Sequence, residues 1–233
     1  MKNKTDNNKG SMPERENGLT ELVFILDKSG SMANFVSDTI GGFNAMIEKQ
    51  KAEPGEAIVS AVLFHHDSEV LLDRVPIDSV KKLTEKEYRA MGSTALIDAL
   101  GDAIHHIGNV HKYAREEDLP EHTVFVINTD GYENASHRYT SDQVKSMVER
   151  QKEKYGWEFI FVGANIDAVE TAKHYGIDAV HTVEYVQDSA GMALNFEAQC
   201  AAMSCIRTNG RLKSTAWKEK VDRDRESRTK SRS

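Results

Sequence analysis

The chain has 233 residues, a length that suits one α/β domain with extensions or at most two small domains. Hydrophobic residues make up 39% of the chain and its formal net charge is −7, which indicates a substantial core and argues against a general nucleic-acid binder. The N-terminal residues are polar, so no signal peptide is expected. No apolar run is long enough to predict a membrane-spanning helix, so no membrane partner is expected.

The first ordered element is predicted to be a buried strand. Residues 1–18 are polar and are expected to be disordered. Residues 22–26 then form a continuous apolar run, which is typical of a strand that is buried on both faces. Ile40, Phe43 and Ile47 recur at helical spacing and predict a helix that ends before the Pro-Gly pair that follows.

An antiparallel hairpin is expected next in the chain. Residues 57–64 and 69–75 both read as strands, and the short polar turn between them leaves no room for a crossover. The polar segment 81–91 is expected to be irregular. A helix with a marked apolar face should begin just after the Gly-Ser-Thr sequence at 92–94.

Strands and helices alternate through the rest of the chain. The predicted elements are, in order, a strand at 123–128, a helix capped by Thr140 or Ser141, a strand at 157–162, a helix at 167–175, a strand at 179–183 and a helix capped by Ser189. This alternation predicts an α/β fold with a doubly wound, mostly parallel sheet and helices on both faces. The hairpin adds one antiparallel edge strand.

The chain is therefore expected to hold one domain, residues 19–210, between a disordered segment at 1–18 and a charged tail at 211–233. Eight Lys and Arg against four Asp and Glu from Lys213 onward make the tail basic, and it is expected to be largely disordered. Trp217 is the one apolar anchor in the tail, and docking of this side chain onto the domain is left open.

The two cysteines predict a reducing environment. Cys200 and Cys205 are five residues apart in the predicted last helix, which puts them on different faces and disfavours a disulfide. Free thiols and the absence of a signal sequence favour a cytoplasmic protein.

Five oxygen-bearing side chains occupy the ends of predicted buried strands or the loops beside them: Asp27, Ser29, Ser31, Thr94 and Asp130. In an open parallel sheet the loops beyond the carboxyl ends of the strands converge on one crevice, so these residues are expected to meet. Carboxylates and hydroxyls, with no sulfur or imidazole among them, select Mg²⁺, Mn²⁺ or Ca²⁺ over zinc. Mg²⁺ is the expected cofactor because it keeps bound waters and needs only one or two carboxylates.

The order of these motifs resembles the metal-ion-dependent adhesion site (MIDAS) of von Willebrand factor A (vWA) domains of the intracellular bacterial type. The family pattern is D-x-S-x-S, a distant Thr and a distant Asp before Gly, and this chain reads DKSGS, GST and TDG in that order. The resemblance extends over residues 21–207. It implies a Rossmann-like, six-stranded sheet in the order 3-2-1-4-5-6, and a protein-binding module that is not an enzyme.

The resemblance also implies a role for each residue of the site. Ser29, Ser31 and Thr94 would ligate the metal directly, while Asp27 and Asp130 would act through water or by orienting the serines. Because neutral hydroxyls leave the charge of the cation poorly compensated, an open coordination position would favour an Asp or Glu carboxylate of a partner protein. Direct contact between Asp130 and the metal would weaken the attraction of the metal for a partner carboxylate. This suggests an affinity switch driven by movement of the last helix.

Lys28 is the unusual residue of the first motif, because it places a cation beside the expected metal. Its side chain is expected to point away toward solvent, or else to contact an acidic partner. The motif otherwise departs from the family pattern at no essential position.

Two other functions fit parts of the sequence. Asp27 at the end of the first strand is also the position of the nucleophile in haloacid-dehalogenase-like phosphohydrolases and phosphotransferases, but the acid/base position two residues later is Ser29 here. The third hypothesis is an adaptor subunit of an ATPase or of a modification complex. It shares the metal chemistry of the binding module and differs in the biological setting.

Overall fold

A computed structural model describes residues 18–230, and its central feature is a six-stranded sheet. The strands are β1 (Thr20–Asp27), β2 (Ala57–Phe64), β3 (Ser68–Pro76), β4 (His122–Thr129), β5 (Glu158–Gly163) and β6 (Thr182–Glu184). The helices are α1 (Val36–Lys51), α2 (Leu96–Tyr113), α3 (Ser141–Tyr155), α4 (Ala168–His174), α5 (Ser189–Asn209) and α6 (Glu219–Lys230).

The strand order is β3-β2-β1-β4-β5-β6, which confirms the predicted doubly wound topology. All neighbouring strands run parallel except β2 and β3, which form the expected antiparallel hairpin at one edge. The order reverses at β1, whose two neighbours are β2 and β4. This reversal opens a crevice between the loops at the carboxyl ends of β1 and β4.

Helices cover both faces of the sheet because β1 is apolar on both sides. Leu22, Phe24 and Leu26 point into the core beneath α1, α5 and α6, whereas Val23 and Ile25 point into the core beneath α2, α3 and α4. All five side chains are at most 1% exposed. The continuous apolar run of the sequence therefore serves two cores rather than one.

The start of the last predicted strand and the cap of the last predicted helix differ in the structure. The predicted strand at 179–183 begins with a short 3-10 helix, Ala179–His181, and only Thr182–Glu184 pair with β5. The cap of the last predicted helix is Asp188 rather than Ser189, because the Asp188 carboxylate accepts the backbone N–H of Gly191 at 2.8 Å. Both shifts follow from aspartate side chains that accept hydrogen bonds from free backbone N–H groups.

The C-terminal tail is ordered where disorder was expected. Residues Glu219–Lys230 form α6, and the preceding turn buries Trp217, whose indole N–H donates to the carbonyl of Val180 at 2.9 Å. The ammonium of Lys218 donates to the carbonyls of Ala179 and Thr182. The prediction of a disordered tail is therefore wrong for this stretch, because its few apolar groups find a site beside β6.

Ion pairs add to the attachment of α6. Arg225 pairs with Glu184 at the end of β6, at 2.9 Å, and Arg228 pairs with Asp188 at the start of α5. Basic side chains of this segment thus pair with acidic residues of the domain.

The N-terminal segment predicted to be disordered, residues 1–18, lies outside the described residues except for Gly18. Within residues 18–230, none of the helices combines the length and the apolar character needed to span a membrane.

Trp217→Ala should destabilise the protein if this side chain anchors the tail. We expect a loss of about 3 kcal/mol in the free energy of unfolding, because a buried indole and its hydrogen bond are removed. Denaturant melts would measure it, with Tyr113→Ala as the control, since Tyr113 is 78% exposed. Equal melts for the two variants would mean that the tail contributes nothing to stability.

Candidate functional site

The first and third motifs meet because β1 and β4 are adjacent parallel strands. Asp27 is the last residue of β1, and Asp130 directly follows Thr129 at the end of β4. The register pairs Leu26 with Asn128, so the chain leaves both strands at the same level of the sheet. Two carboxylates from distant parts of the sequence are thereby brought into one crevice.

Hydrogen bonds link the carboxylates to the serines. The backbone N–H of Ser29 donates to Asp27 Oδ1 at 2.7 Å, which turns the chain sharply after the strand. Ser29 Oγ lies 3.0 Å from Ser31 Oγ, and the Ser31 hydroxyl donates to Asp130 Oδ1 at 2.6 Å. A continuous series of hydrogen bonds therefore runs across the crevice from Asp27 through Ser29 and Ser31 to Asp130.

Thr94 joins the same cluster from the loop before α2. A Cβ built on Gly131 would lie 3.9 Å from Thr94 Oγ1 and 4.0 Å from Ser31 Oγ, so both hydroxyls border the same small space. Asn134 holds the Thr94 backbone in two ways. Its side-chain oxygen accepts the Thr94 N–H at 2.9 Å, and its own N–H donates to the Thr94 carbonyl at 3.0 Å.

The loop after Asp130 is also tied to the start of α2. Glu133 accepts the backbone N–H of Ile97 at 2.9 Å, and the Ser136 hydroxyl accepts that of Asp98 at 3.0 Å. These bonds satisfy backbone donors that the first turn of a helix leaves free. The site loops and α2 are therefore fixed relative to one another.

The two carboxylates of the site are buried without a cationic side chain beside them in the described residues. Asp27 and Asp130 are each only 2% exposed, and neither forms a salt bridge with any Lys, Arg or His in residues 18–230. Burial raises the pKa of Asp27 to about 6, although hydrogen bonds from Ser29 and Thr129 lower it and nearby Asp130 raises it further. Buried carboxylates without a cationic side chain are stable when they coordinate a metal.

The donor set fits a hard divalent cation. Two carboxylates and the hydroxyls of Ser29, Ser31, Thr94 and Thr129 border the crevice, and no imidazole or thiol does so in the described contacts. Ser31 is exposed whereas Ser29 and Thr94 are buried, so the cluster opens to solvent on one side. No group of three or more His, Cys, Asp or Glu side chains in residues 18–230 is arranged to hold a metal, and this site offers two carboxylates together with its hydroxyls.

Gln187 is a residue of the site that the sequence analysis missed. It follows β6, and its side-chain N–H donates to Asp130 Oδ2 at 2.6 Å, while its own oxygen accepts from the amide of Asn165. Asp130 is thus held by Ser31 through one oxygen and by Gln187 through the other. The one signal for it in the sequence is its position in a loop at the carboxyl end of a strand.

Thr129 is the second such residue. Its hydroxyl donates to Asp27 Oδ2 at 2.8 Å, so both oxygens of Asp27 are bonded. Residues that orient the ligands of a metal affect its affinity without touching it.

Lys28 does not point toward solvent as expected. Its side chain is only 8% exposed, and its ammonium forms a 2.7 Å salt bridge with Glu69 of β3. The expectation is wrong because the hairpin turn brings an acidic side chain within reach. The charge of Lys28 is thereby compensated by Glu69, and no cationic side chain of residues 18–230 forms a salt bridge with the site carboxylates.

No protein-family model and no curated protein matches the sequence. Solved structures do share its fold. The match to the vWF domain of the type V pili tip protein Mfa5 from Porphyromonas gingivalis has a TM-score of 0.60 at 12% identity and covers 84% of this chain and 99% of that one. A von Willebrand factor type A structure from Catenulispora acidiphila matches with a TM-score of 0.55 at 16% identity, over 81% of this chain and 43% of that one.

A third structure is that of proximal thread matrix protein 1 from the mussel byssus, described with a zinc-occupied MIDAS motif. The TM-score is 0.56 at 15% identity, over 79% of this chain and 45% of that one. The chain has the vWA fold. It spans less than half the length of the Catenulispora and mussel chains. At these identities the likeness shows the vWA fold and not a shared activity.

Gln187→Met should weaken binding of a divalent cation, with Mg²⁺ as the test ion, about tenfold, because loss of a group that orients a metal ligand has a cost of this order. Isothermal titration calorimetry would measure the affinity. Gln143→Met is the matched control, since it removes an amide from the cap of α3, outside the site. Unchanged Mg²⁺ affinity in Gln187→Met would show that the amide does not position Asp130.

Proposed function

We propose that this protein is a binding module that holds a divalent cation, with Mg²⁺ as the physiological ion, and recognises an acidic group of a partner protein through it. The ligands would be Ser29, Ser31 and Thr94, with Asp27 and Asp130 acting through water or by orienting the serines. Recognition would depend on the metal and would involve no turnover.

One observation carries the proposal. Two carboxylates are buried side by side at the switch point of the sheet, and the described part of the chain supplies no cationic side chain to either of them. A bound divalent cation would neutralise both and would offset the cost of their burial. The pKa of Asp27, raised by burial, reflects that cost.

The site also has the openness that recognition requires. The exposed Ser31 marks the side from which a partner would approach, and the buried Ser29 and Thr94 form the floor. When bound, the metal would supply a Lewis-acidic position that accepts one more oxygen ligand. The residues of the chain would hold three neutral oxygens around it, and this leaves positive charge that attracts an outside carboxylate.

The vWA fold supports the proposal at a coarser level. The mussel structure is described with a zinc-occupied MIDAS motif, so a related arrangement accepts a divalent ion in that protein. For this chain we favour Mg²⁺ over zinc, with Mn²⁺ and Ca²⁺ as alternatives, because the donors are hard oxygens.

We propose further that the protein is not an enzyme. The position that would hold the acid/base group of a haloacid-dehalogenase-like phosphohydrolase is Ser29, and its backbone N–H and hydroxyl are engaged with Asp27 and Ser31. A phosphatase screen with Mg²⁺ would test this alternative. The adaptor role, the cytoplasmic location and the intracellular bacterial type stay predictions. A pull-down from cells in Mg²⁺, compared with one in EDTA, would test the adaptor role.

Asp27→Ala should abolish the Mg²⁺-dependent rise in melting temperature that we expect for the unaltered protein. A ligand that binds only the folded state stabilises it by mass action, and the variant would lack the anchor of the site. Thr94→Ala should reduce the rise without removing it, because it deletes one neutral ligand. Thermal melts in EDTA and in millimolar Mg²⁺ would measure both.

Asp73→Ala is the control for these melts, because Asp73 is a half-exposed carboxylate on β3 outside the site. It should keep the full rise. A full rise in Asp27→Ala would contradict the proposed site, and the absence of any rise in the unaltered protein would contradict metal binding at millimolar concentration.

A further inference from the structure

The segment from Lys81 to Met91 is bound tightly to the proposed metal site. The hydroxyl of Tyr88 donates to the backbone carbonyl of Asp27, and Tyr88 is completely buried. The N–H of Met91 donates to the carbonyl of Lys28 at 2.8 Å, and the N–H of Gly30 donates to that of Gly92 at 3.0 Å. The loop that was expected to be merely irregular is therefore part of the wall of the site.

An open groove of about 510 Å³ lies along this segment. Its lining residues are Val36, Glu85, Lys86, Tyr88 and Arg89. Val36 begins α1, directly after the 3-10 helix Gly30–Phe35 that carries Ser31. The groove therefore lies on stretches of the chain that adjoin those of the proposed metal site.

Lys86 and Arg89 line the groove together with one carboxylate, Glu85, and Lys81 and Lys82 lie in the same chain segment. Lys81, Lys82, Lys86 and Arg89 are all exposed, and none of them forms a salt bridge with a described residue. The one ordered polar contact of the Arg89 guanidinium is with the backbone carbonyl of Glu85. Most other Arg side chains of the described chain are paired, for example Arg115 and Arg138.

Two acidic residues of the segment do not cancel this charge. The Glu87 carboxylate accepts the N–H and the hydroxyl of Thr84, which stabilises a local turn and lowers the pKa of Glu87. Glu85 lines the groove beside Lys86 and Arg89. Four cations against two carboxylates leave residues 81–89 with a net positive charge, within a chain whose net charge is −7.

We propose that this groove extends the binding surface of the metal site and receives further acidic residues of the same partner segment. The inference rests on the proposed function. One carboxylate of an acidic stretch of polypeptide would ligate the metal, and neighbouring Asp or Glu side chains would lie against Lys86 and Arg89. Charge complementarity of this kind gives specificity and speeds association.

A stretch of polypeptide is favoured over other anions because the metal site itself calls for a carboxylate. A lone carboxylate would fill the metal position and leave the groove unused. A run of several Asp or Glu residues would satisfy both parts of the surface at once. The two sites would then act as a bivalent receptor, in which one contact raises the effective concentration of the other.

The test uses the full chain and a fluorescein-labelled hexaglutamate peptide as the probe, with fluorescence anisotropy in Mg²⁺ and in EDTA. The variant Lys86→Glu/Arg89→Glu should bind the peptide about tenfold more weakly than the unaltered protein, because two attractive contacts become repulsive. The control Lys112→Glu/Lys154→Glu makes the same change of net charge on exposed lysines near the last turns of α2 and α3. It should bind as the unaltered protein does.

The melting temperature of each variant in Mg²⁺ and in EDTA separates the two proposals. A groove variant that keeps the Mg²⁺-dependent rise but binds hexaglutamate as well as the control would overturn the groove and leave the metal site standing. If the unaltered protein shows no Mg²⁺-dependent rise in melting temperature, the metal site itself is contradicted. Tighter binding of a labelled six-nucleotide single-stranded DNA than of hexaglutamate would overturn the choice of an acidic polypeptide.

Discussion

The site depends on two carboxylates, Asp27 and Asp130, that the sheet buries next to each other at the carboxyl ends of β1 and β4. Isolated charges in such a position are unfavourable, and surrounding residues donate a hydrogen bond to each of the four carboxylate oxygens. Ser29, Thr129, Ser31 and Gln187 each donate to one carboxylate oxygen. These neutral donors orient the carboxylates but carry no positive charge, and this observation supports the proposal of a bound cation.

The alternation of strands and helices and the antiparallel edge follow from local patterns of the sequence, whereas the strand order is what the resemblance to vWA domains implies. The apolar run at 22–26 and the short polar turn after 64 are enough to predict a buried central strand and an antiparallel edge. Once β1 and β4 are neighbours, Asp27 and Asp130 must leave the sheet together. The positions of these side chains at the ends of predicted parallel strands therefore predict which of them meet, although ligation of a metal by them stays a proposal.

Other features depend on contacts between segments that no periodic pattern links. Gln187 reaches Asp130 across the crevice, and Lys28 finds Glu69 on the hairpin. The charged tail reads as disordered because it has few apolar residues, yet Trp217 and α6 dock beside β6. Such pairings are decided by tertiary packing, which overrides the local composition. They also connect the tail to the site, since Asp188 binds Arg228 and directly follows Gln187.

The central claim is that the hydroxyls of Ser29, Ser31 and Thr94 and the two buried carboxylates surround a divalent cation. The most direct measurement is anomalous diffraction from crystals of the protein soaked in Mn²⁺. The account predicts one strong anomalous peak in the crevice between Ser29, Ser31 and Thr94, which disappears in crystals of Asp27→Ala. Crystals that hold Mn²⁺ only elsewhere, or nowhere, would contradict it.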